Sequence, residues 1–377
     1  MTADIHFTTK AGIAMKIMTV LGTRPEIIRL SLIISKLDQY AAEHVLVHTG
    51  QNFTESLSGL FFKELGLRAP DYVLQDEAAS LGRQLSSMFT QMEDILRQEK
   101  PDKVLLLGDT NSALCAVLAE RMGIPVVHME AGNRCFDLDV PEEKNRRVID
   151  AISTINMPYT EQSKKHLVRE GVPSRRIVLT GNPIYEVMQH YDRQVSASNI
   201  LNKLKLKPGQ YFLVTAHRAE NVDHPPHLLE IMKGLNRVAK EQGQRIICSI
   251  HPRTAIRIAE HLELEMHPLV EFHEPFGFFD FVMLERHARC ALTDSGTVQE
   301  ECCIMGVPTV TMRRTTERPE TVDCGSNVVS GLDADRIADC VKVMTALPAD
   351  WECPDGYKAK NVSGIVVKFL LGGKLNV

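Results

Sequence analysis

The stretch KIMTVLGTRPEIIRLSLIISKLDQYAAEHVLVHTG, residues 16–50, decides the architecture. KIMTVLG (16–22) and HVLVHTG (44–50) are apolar without polar alternation. Between them PEIIRLSLIISKLDQY (25–40) reads as an amphipathic helix with proline near its first turn. Strands of this kind, each followed by a helix, belong to a parallel sheet covered on both faces. Working outward, helices are expected near 55–66, 80–98 and 111–122, and strands at KVLLLGD (103–109), IPVVHME (124–130), INMPYT (155–160) and RIVLTG (176–181). The pattern restarts after Pro208 with YFLVTAH (211–217), RIICSIH (245–251), LVEFHEP (269–275), CALTDSG (290–296), PTVTM (308–312) and NVVSG (327–331). Helices are expected between them near 226–242, 253–262, 279–287, 297–305 and 333–346. Two such halves, joined by a linker near 182–188, describe an α/β chain of two Rossmann-like doubly wound domains.

Bulk composition agrees with this. The 377 residues exceed one ordinary core. Hydrophobic residues make up 44% and charged residues 24%, with net charge −5. No global field favours nucleic acid or an anionic membrane, so neither is an expected partner. No apolar run approaches the roughly 20 residues that span a bilayer. The nine cysteines include no C-x-x-C pair and read as reduced core thiols of a cytoplasmic protein. MTADIHFTTKAGIA, ahead of Met15, lacks the features of a signal peptide and reads as a disordered extension or as residues from an early start codon.

Ligands of open α/β sheets bind beyond the carboxyl ends of strands. Those positions carry GTRPE (22–26), GDTNS (108–112), HMEAGNR (128–134), TAHRAEN (215–221), SIHPRT (249–254) and TDSGTVQEE (293–301). Asp109, Asp294 and Thr254 suit helix caps equally well. Ser295 and Gly296 enter a helix whose first N–H groups attract phosphate, and Glu300 lies one turn on, where a carboxylate can accept ribose hydroxyls. That order suits a nucleoside diphosphate, which Arg24 would also reach. No G-x-G-x-x-G follows a strand and no G-x-x-x-x-G-K-[ST] occurs. His217 and His251 end strands and read as phosphate contacts or proton donors, or as core histidines. Asp109, Glu130 and Glu142 are candidate acid/base groups, with Arg29, Arg134 and Arg146 as cations that tune them and Arg218 beside His217. No metal-ligand spacing is present, and no cofactor is expected.

Seven motifs in order, GTRPEIIR, GDTNS, HMEAGNR, PEEKNR, TAHRAEN, DSGTVQEE and MRRTTERPE, resemble the non-hydrolysing UDP-N-acetylglucosamine 2-epimerase family from about residue 16 to beyond 345. The resemblance implies an interdomain cleft of GT-B type. It also implies an extension over 1–15, an N-terminal domain over 16–184, a UDP-binding domain over 185–350, and a helix within 351–377 returning to the first domain. It implies a homodimer that inverts C2 of a UDP-N-acetylhexosamine by eliminating UDP to a 2-acetamidoglycal and adding it back, in surface-polysaccharide precursor synthesis. By motif, Asp109, Glu130, Glu142 and His217 are the catalytic set, and Arg24, His251, Ser295, Gly296, Glu300 and Arg313 contact UDP, with Phe278 or Phe281 near the uracil. Which carboxylate takes the proton stays open.

The chain departs from the family pattern in three places. Arg29 replaces the usual lysine. The loop NRCFDLDV lacks a Ser-Pro-Trp segment, and Gln51-Asn52 stands where enzymes activated by their own substrate carry Gln-His, so whether an effector binds stays open. GDTNS, EAGNRCFD and INMPYT look more like the branch that makes UDP-N-acetyl-L-fucosamine from a 6-deoxy-L-talose precursor. The competing readings are a hydrolysing 2-epimerase, a GT-B glycosyltransferase and a non-catalytic nucleotide-sugar sensor.

Overall fold

The structure, a computed structural model, describes residues 14–50, 59–75, 80–250, 252–261 and 264–372. The chain divides into two compact units. The first holds the chain up to Gly132, Lys144–Pro183 and the chain from Ala359 on; the second holds Asn133–Glu143 and Ile184–Lys358. Where a continuous domain over 16–184 was expected, the segment Asn133–Glu143 thus groups with the second unit. The Pro141–Ile152 helix changes unit between Glu143 and Lys144.

The first unit is built on β1 (Lys16–Leu21), β2 (Glu43–His48), β3 (Tyr72–Val73), β4 (Lys103–Leu107), β5 (Val126–Met129) and β6 (Ile155–Met157). They pair in parallel in the order β3-β2-β1-β4-β5-β6. RIVLTG is not a seventh strand: Ile177 makes one isolated bridge to Asn156 beside β6. β3 went unread because two residues form no apolar run. Met18, Val20, Val45, Val104 and Leu106 face Met92, Ile95 and Ile149 in one core. Each such burial contributes about 1.5–3 kcal/mol relative to an exposed side chain. The C-terminal helix Val362–Leu371 lies against the Arg24–Tyr40 helix, where Lys36 Nζ donates to Ser363 Oγ at 2.5 Å.

The second unit repeats the design with β7 (Tyr211–Ala216), β8 (Arg245–Ile250), β9 (Val270–His273), β10 (Cys290–Thr293), β11 (Thr309–Thr311) and β12 (Asn327–Val329). The order is β12-β11-β10-β7-β8-β9, again all parallel. Phe212, Val214, Ile246, Leu292 and Val310 form one face of its core with Leu228, Ile231 and Ile337. The linker expected near 182–188 is largely helical, within Ile184–His190.

Candidate active site

Strand order reverses between β1 and β4 in the first sheet and between β7 and β10 in the second. The carboxyl ends of those strands are where a doubly wound sheet presents ligand-binding groups.

In the first unit β1 runs into Gly22. A Cβ there would stand 2.1 Å from Ser112 Oγ and 2.2 Å from Thr49 Oγ1, so the turn excludes a side chain. Glu26 closes it: Oε2 accepts from Gly22 N at 2.6 Å and Thr23 N at 2.9 Å. Its Oε1 accepts from Thr110 Oγ1 at 2.7 Å, tying the β1 turn to the β4 turn. Burial first, then the charge of Asp109, pushes the Glu26 carboxyl up to about 7. Arg24 opens the helix with its guanidinium carbon 5.8 Å from the centre of the Phe61 ring. It makes no ion pair among the described residues, and burial lowers its pKa.

β5 delivers Glu130 with φ of 65°, a left-handed conformation that costs a non-glycine residue on the order of 1–3 kcal/mol. The Glu130 carboxylate ion-pairs with Arg29, and both side chains are buried. Asp109, just past β4, ion-pairs with the buried Arg146. Asn145 Nδ2 donates to the Asp109 carbonyl at 3.0 Å. Beneath these groups His128 Nε2 meets Gly108 O at 2.8 Å and Nδ1 meets Asp150 Oδ1 at 2.9 Å. A carbonyl only accepts, so Nε2 carries a proton. Asp150 Oδ2 accepts from Gly132 N at 3.1 Å. His128 therefore fixes the Gly108–Asp109 peptide, and Asp150 fixes the Ala131–Gly132 peptide just beyond Glu130.

In the second unit the fully buried Asp294 is a hub rather than a helix cap. Its Oδ2 accepts from His217 N and Arg218 N, each at 2.9 Å, and from Asn221 Nδ2 at 3.2 Å. His217 Nδ1 lies 3.2 Å from Asp294 Oδ1 while the ring stays 43% exposed, an anchored imidazole with an open face. Thr254 is no cap either, since its hydroxyl donates to Ala216 O at 2.9 Å. Arg218 Nη1 lies 3.6 Å from Glu142 Oε2, and Nη2 lies 2.7 Å from Glu317 Oε1. Arg313 Nη1 donates to Glu317 Oε2 at 2.6 Å, and its buried Nη2 has no partner among the described residues. Ser295 precedes the Gly296–Met305 helix without capping it, and its amide donates to Thr293 Oγ1 at 2.9 Å. A Cβ on Gly296 would meet Glu317 Oε1 at 3.0 Å. Glu300 Oε1 lies 2.5 Å from Arg318 Nε, both buried. Arg134, also buried, donates from Nη1 to Asn133 O at 2.7 Å.

Arg24, Arg29, Asp109, Glu130 and Arg146 thus share one unit, and Arg134, Glu142, His217, Arg218, Ser295, Gly296, Glu300 and Arg313 share the other. His251 and Gln51-Asn52 lie outside the described residues. Phe278 is a core ring edge-on to Tyr191 at 6.2 Å. Of the three cations expected to tune the carboxylates, Arg29 pairs with Glu130 and Arg146 with Asp109, while Arg218 lies beside Glu142. Sequence reading missed Glu26, His128, Asp150, Glu317 and Arg318. Glu26 and Arg318 stand beside prolines in the first helical turn, and that was the available signal.

A family model described as UDP-N-acetylglucosamine 2-epimerase matches residues 35–370. The UDP-N-acetylglucosamine 2-epimerase of Methanocaldococcus jannaschii is 39% identical over 350 residues, covering 91% of this chain and 95% of that protein. Its crystal structure in complex with UDP-GlcNAc and UDP superposes with a TM-score of 0.91 at 38% identity, over 95% of this chain and 100% of that one. The UDP-2,3-diacetamido-2,3-dideoxy-D-glucuronate 2-epimerase of Pseudomonas aeruginosa is 35% identical over 333 residues, 87% of this chain and 92% of that protein. WaaG, a glycosyltransferase involved in lipopolysaccharide biosynthesis, covers 95% of this chain and 100% of its own at a TM-score of 0.60 and 12% identity, a likeness of fold alone. The protein is an isomerase of the nucleotide-sugar type on a GT-B-like fold. More particularly, the chain belongs to the UDP-N-acetylglucosamine 2-epimerase family.

Proposed function

We propose that the chain is a non-hydrolysing 2-epimerase of a UDP-N-acetylhexosamine. UDP leaves across C1–C2 as the C2 proton is removed, and the 2-acetamidoglycal takes UDP back at C1 while C2 is protonated from the other face. The observation that carries this reading is that each candidate carboxylate has its own arginine: Glu130 with Arg29, Asp109 with Arg146, Glu142 with Arg218. Separate partners let carboxylates hold different protonation states, which a two-faced proton transfer requires. Arg24 sets a cation at the positive end of a helix without an anionic partner among the described residues, an arrangement that an anionic substrate relieves. Arg313 Nη2 and the amide of Gly296 suit the diphosphate, Glu300 the ribose, and His217 the departing phosphate oxygen.

The first substrate to test is the UDP-N-acetylglucosamine/UDP-N-acetylmannosamine pair, which the names of the relatives support. The second is UDP-N-acetyl-6-deoxy-L-talosamine, which the short loop NRCFDLDV supports. By the same resemblance we expect a cytoplasmic homodimer that supplies surface-polysaccharide precursors. The test is incubation with each UDP-sugar in heavy water, followed at C2 by NMR. Deuterium at C2 with UDP still attached is expected; stoichiometric free sugar would instead mark a hydrolase. Glu130→Gln should retain UDP binding and lose C2 exchange; an exchanging variant would remove Glu130 from the catalytic set.

A further inference from the structure

Three of the nine cysteines meet away from the carboxylates. Cys303 Sγ lies 3.8 Å from Cys324 Sγ and 3.9 Å from Cys353 Sγ. Cys303 is buried, while Cys324 and Cys353 are partly exposed. The trio joins three segments around the Glu300–Arg318 pair. Cys303 follows Glu300 by one turn on the Gly296–Met305 helix. Cys324 ends the Pro319–Asp323 helix that begins just after Arg318. Cys353 lies between Trp351, whose Nε1 donates to Cys303 O at 3.1 Å, and the buried Tyr357.

We propose that Cys353 and Cys303 form a reversible disulfide when the protein meets hydrogen peroxide, making this trio a modification site. The Sγ atoms stand 3.9 Å apart and must close to about 2.0 Å, a movement the irregular segment carrying Cys353 can supply. The Cys353 sulfur attacks peroxide: an S–O bond forms, the O–O bond breaks, and the departing hydroxide takes the Cys353 proton and leaves as water. The Cys303 sulfur then attacks the Cys353 sulfur: the S–S bond forms, the S–O bond breaks, and the Cys303 proton leaves with the departing oxygen as water. Two thiols are oxidised and one peroxide becomes two waters. Cys353 is the attacking group because it is the partly exposed member of the pair while Cys303 is buried, and the hydrogen bond from Cys303, with Lys358 beside it, also draws the Cys353 thiol down. Cys324 instead faces two acceptors, Thr321 O at 3.5 Å and Ser326 Oγ at 3.4 Å, against one for Cys353, Cys303 O at 3.7 Å. Disulfides in a reducing compartment are characteristically of this transient kind. Because the bond joins the segment before Tyr357 to the helix carrying Glu300, oxidation should also lower UDP affinity. That second effect rests on the UDP-binding role proposed above.

The test exposes the full-length protein to hydrogen peroxide, then measures intact mass and maps peptides without reduction. A loss of two hydrogens and a linked peptide containing residues 303 and 353 are expected, reversed by dithiothreitol, absent in Cys353→Ser and retained in Cys324→Ser. A 303–324 link, sulfinic acid at Cys353 without a link, or unreacted thiols would overturn the proposal. UDP titration of the same samples should show affinity falling at least threefold on oxidation and returning on reduction. A linked protein with unchanged UDP affinity would overturn the coupling alone. A reduced protein that never binds UDP would count against the functional reading and leave the thiol pair standing.

Discussion

Arg29 and Glu130 are both stripped of water, so each carries a desolvation penalty that their ion pair helps to offset. Arg29→Met should destabilise the protein by ~3–5 kcal/mol, because it removes one partner of a buried ion pair and leaves the Glu130 carboxylate without that cation. Adding Glu130→Gln should recover most of that loss, and denaturant melts of the four-member cycle measure it; additive losses would show that the pair is not coupled. Glu26 gives a pH dependence of definite sign. Its folded pKa, about 7, exceeds the ordinary 4.5, so the folded state holds the proton more tightly. The contribution is fully present below pH 4.5 and is lost as pH rises through about 7. Glu26→Gln should therefore show a flatter stability profile across that window in thermal melts at stepped pH. An unchanged slope would mean that other groups set it.

At the scale of elements, each sheet end is held by a polar group that is not itself a candidate for the chemistry. Asp150, on the Pro141–Ile152 helix, holds Gly132 N and His128, and so holds the backbone two residues after Glu130 and the histidine two residues before it. Asp150→Asn keeps the shape but presents an N–H₂ where an acceptor was needed. Turnover should fall ten- to a hundredfold with KM nearly unchanged; a change confined to KM would place Asp150 in binding. These supports explain what the sequence showed and what it hid. Glu130 and His217 were legible because strand ends in an open sheet expose side chains by geometry. His128 and Asp150 were not, because a histidine inside an apolar run and a carboxylate 22 residues on carry no local sign of meeting. RIVLTG reads as a strand by composition, yet only one bridge forms, because partner strands rather than hydrophobicity decide pairing.

Across the whole molecule the periodicity of apolar strands and amphipathic helices was enough to give two parallel sheets. It was not enough to give the assignment of Asn133–Glu143 to the second unit, because that follows from packing partners distant in sequence. The Arg218–Glu142 pair lies within that unit for the same reason. If UDP occupies the groups proposed for it, hydrogen exchange on adding UDP should slow at 294–300 and 312–318 and leave the edge strands β3 and β9 unchanged. Equal protection everywhere would indicate global stabilisation without a local footprint.

Phe136 carries φ of 59° with its ring 63% exposed, in the loop that departs from the family pattern. A left-handed backbone favours glycine or asparagine at a position like this, by about 1 kcal/mol. Saturating position 136 would therefore set two selections against each other. Sorting the library for thermal survival should enrich Gly and Asn. Sorting it for turnover of the true sugar should enrich Phe, if the ring is what the loop is for. The sugar on which those two rankings diverge most identifies the substrate without a single bound structure.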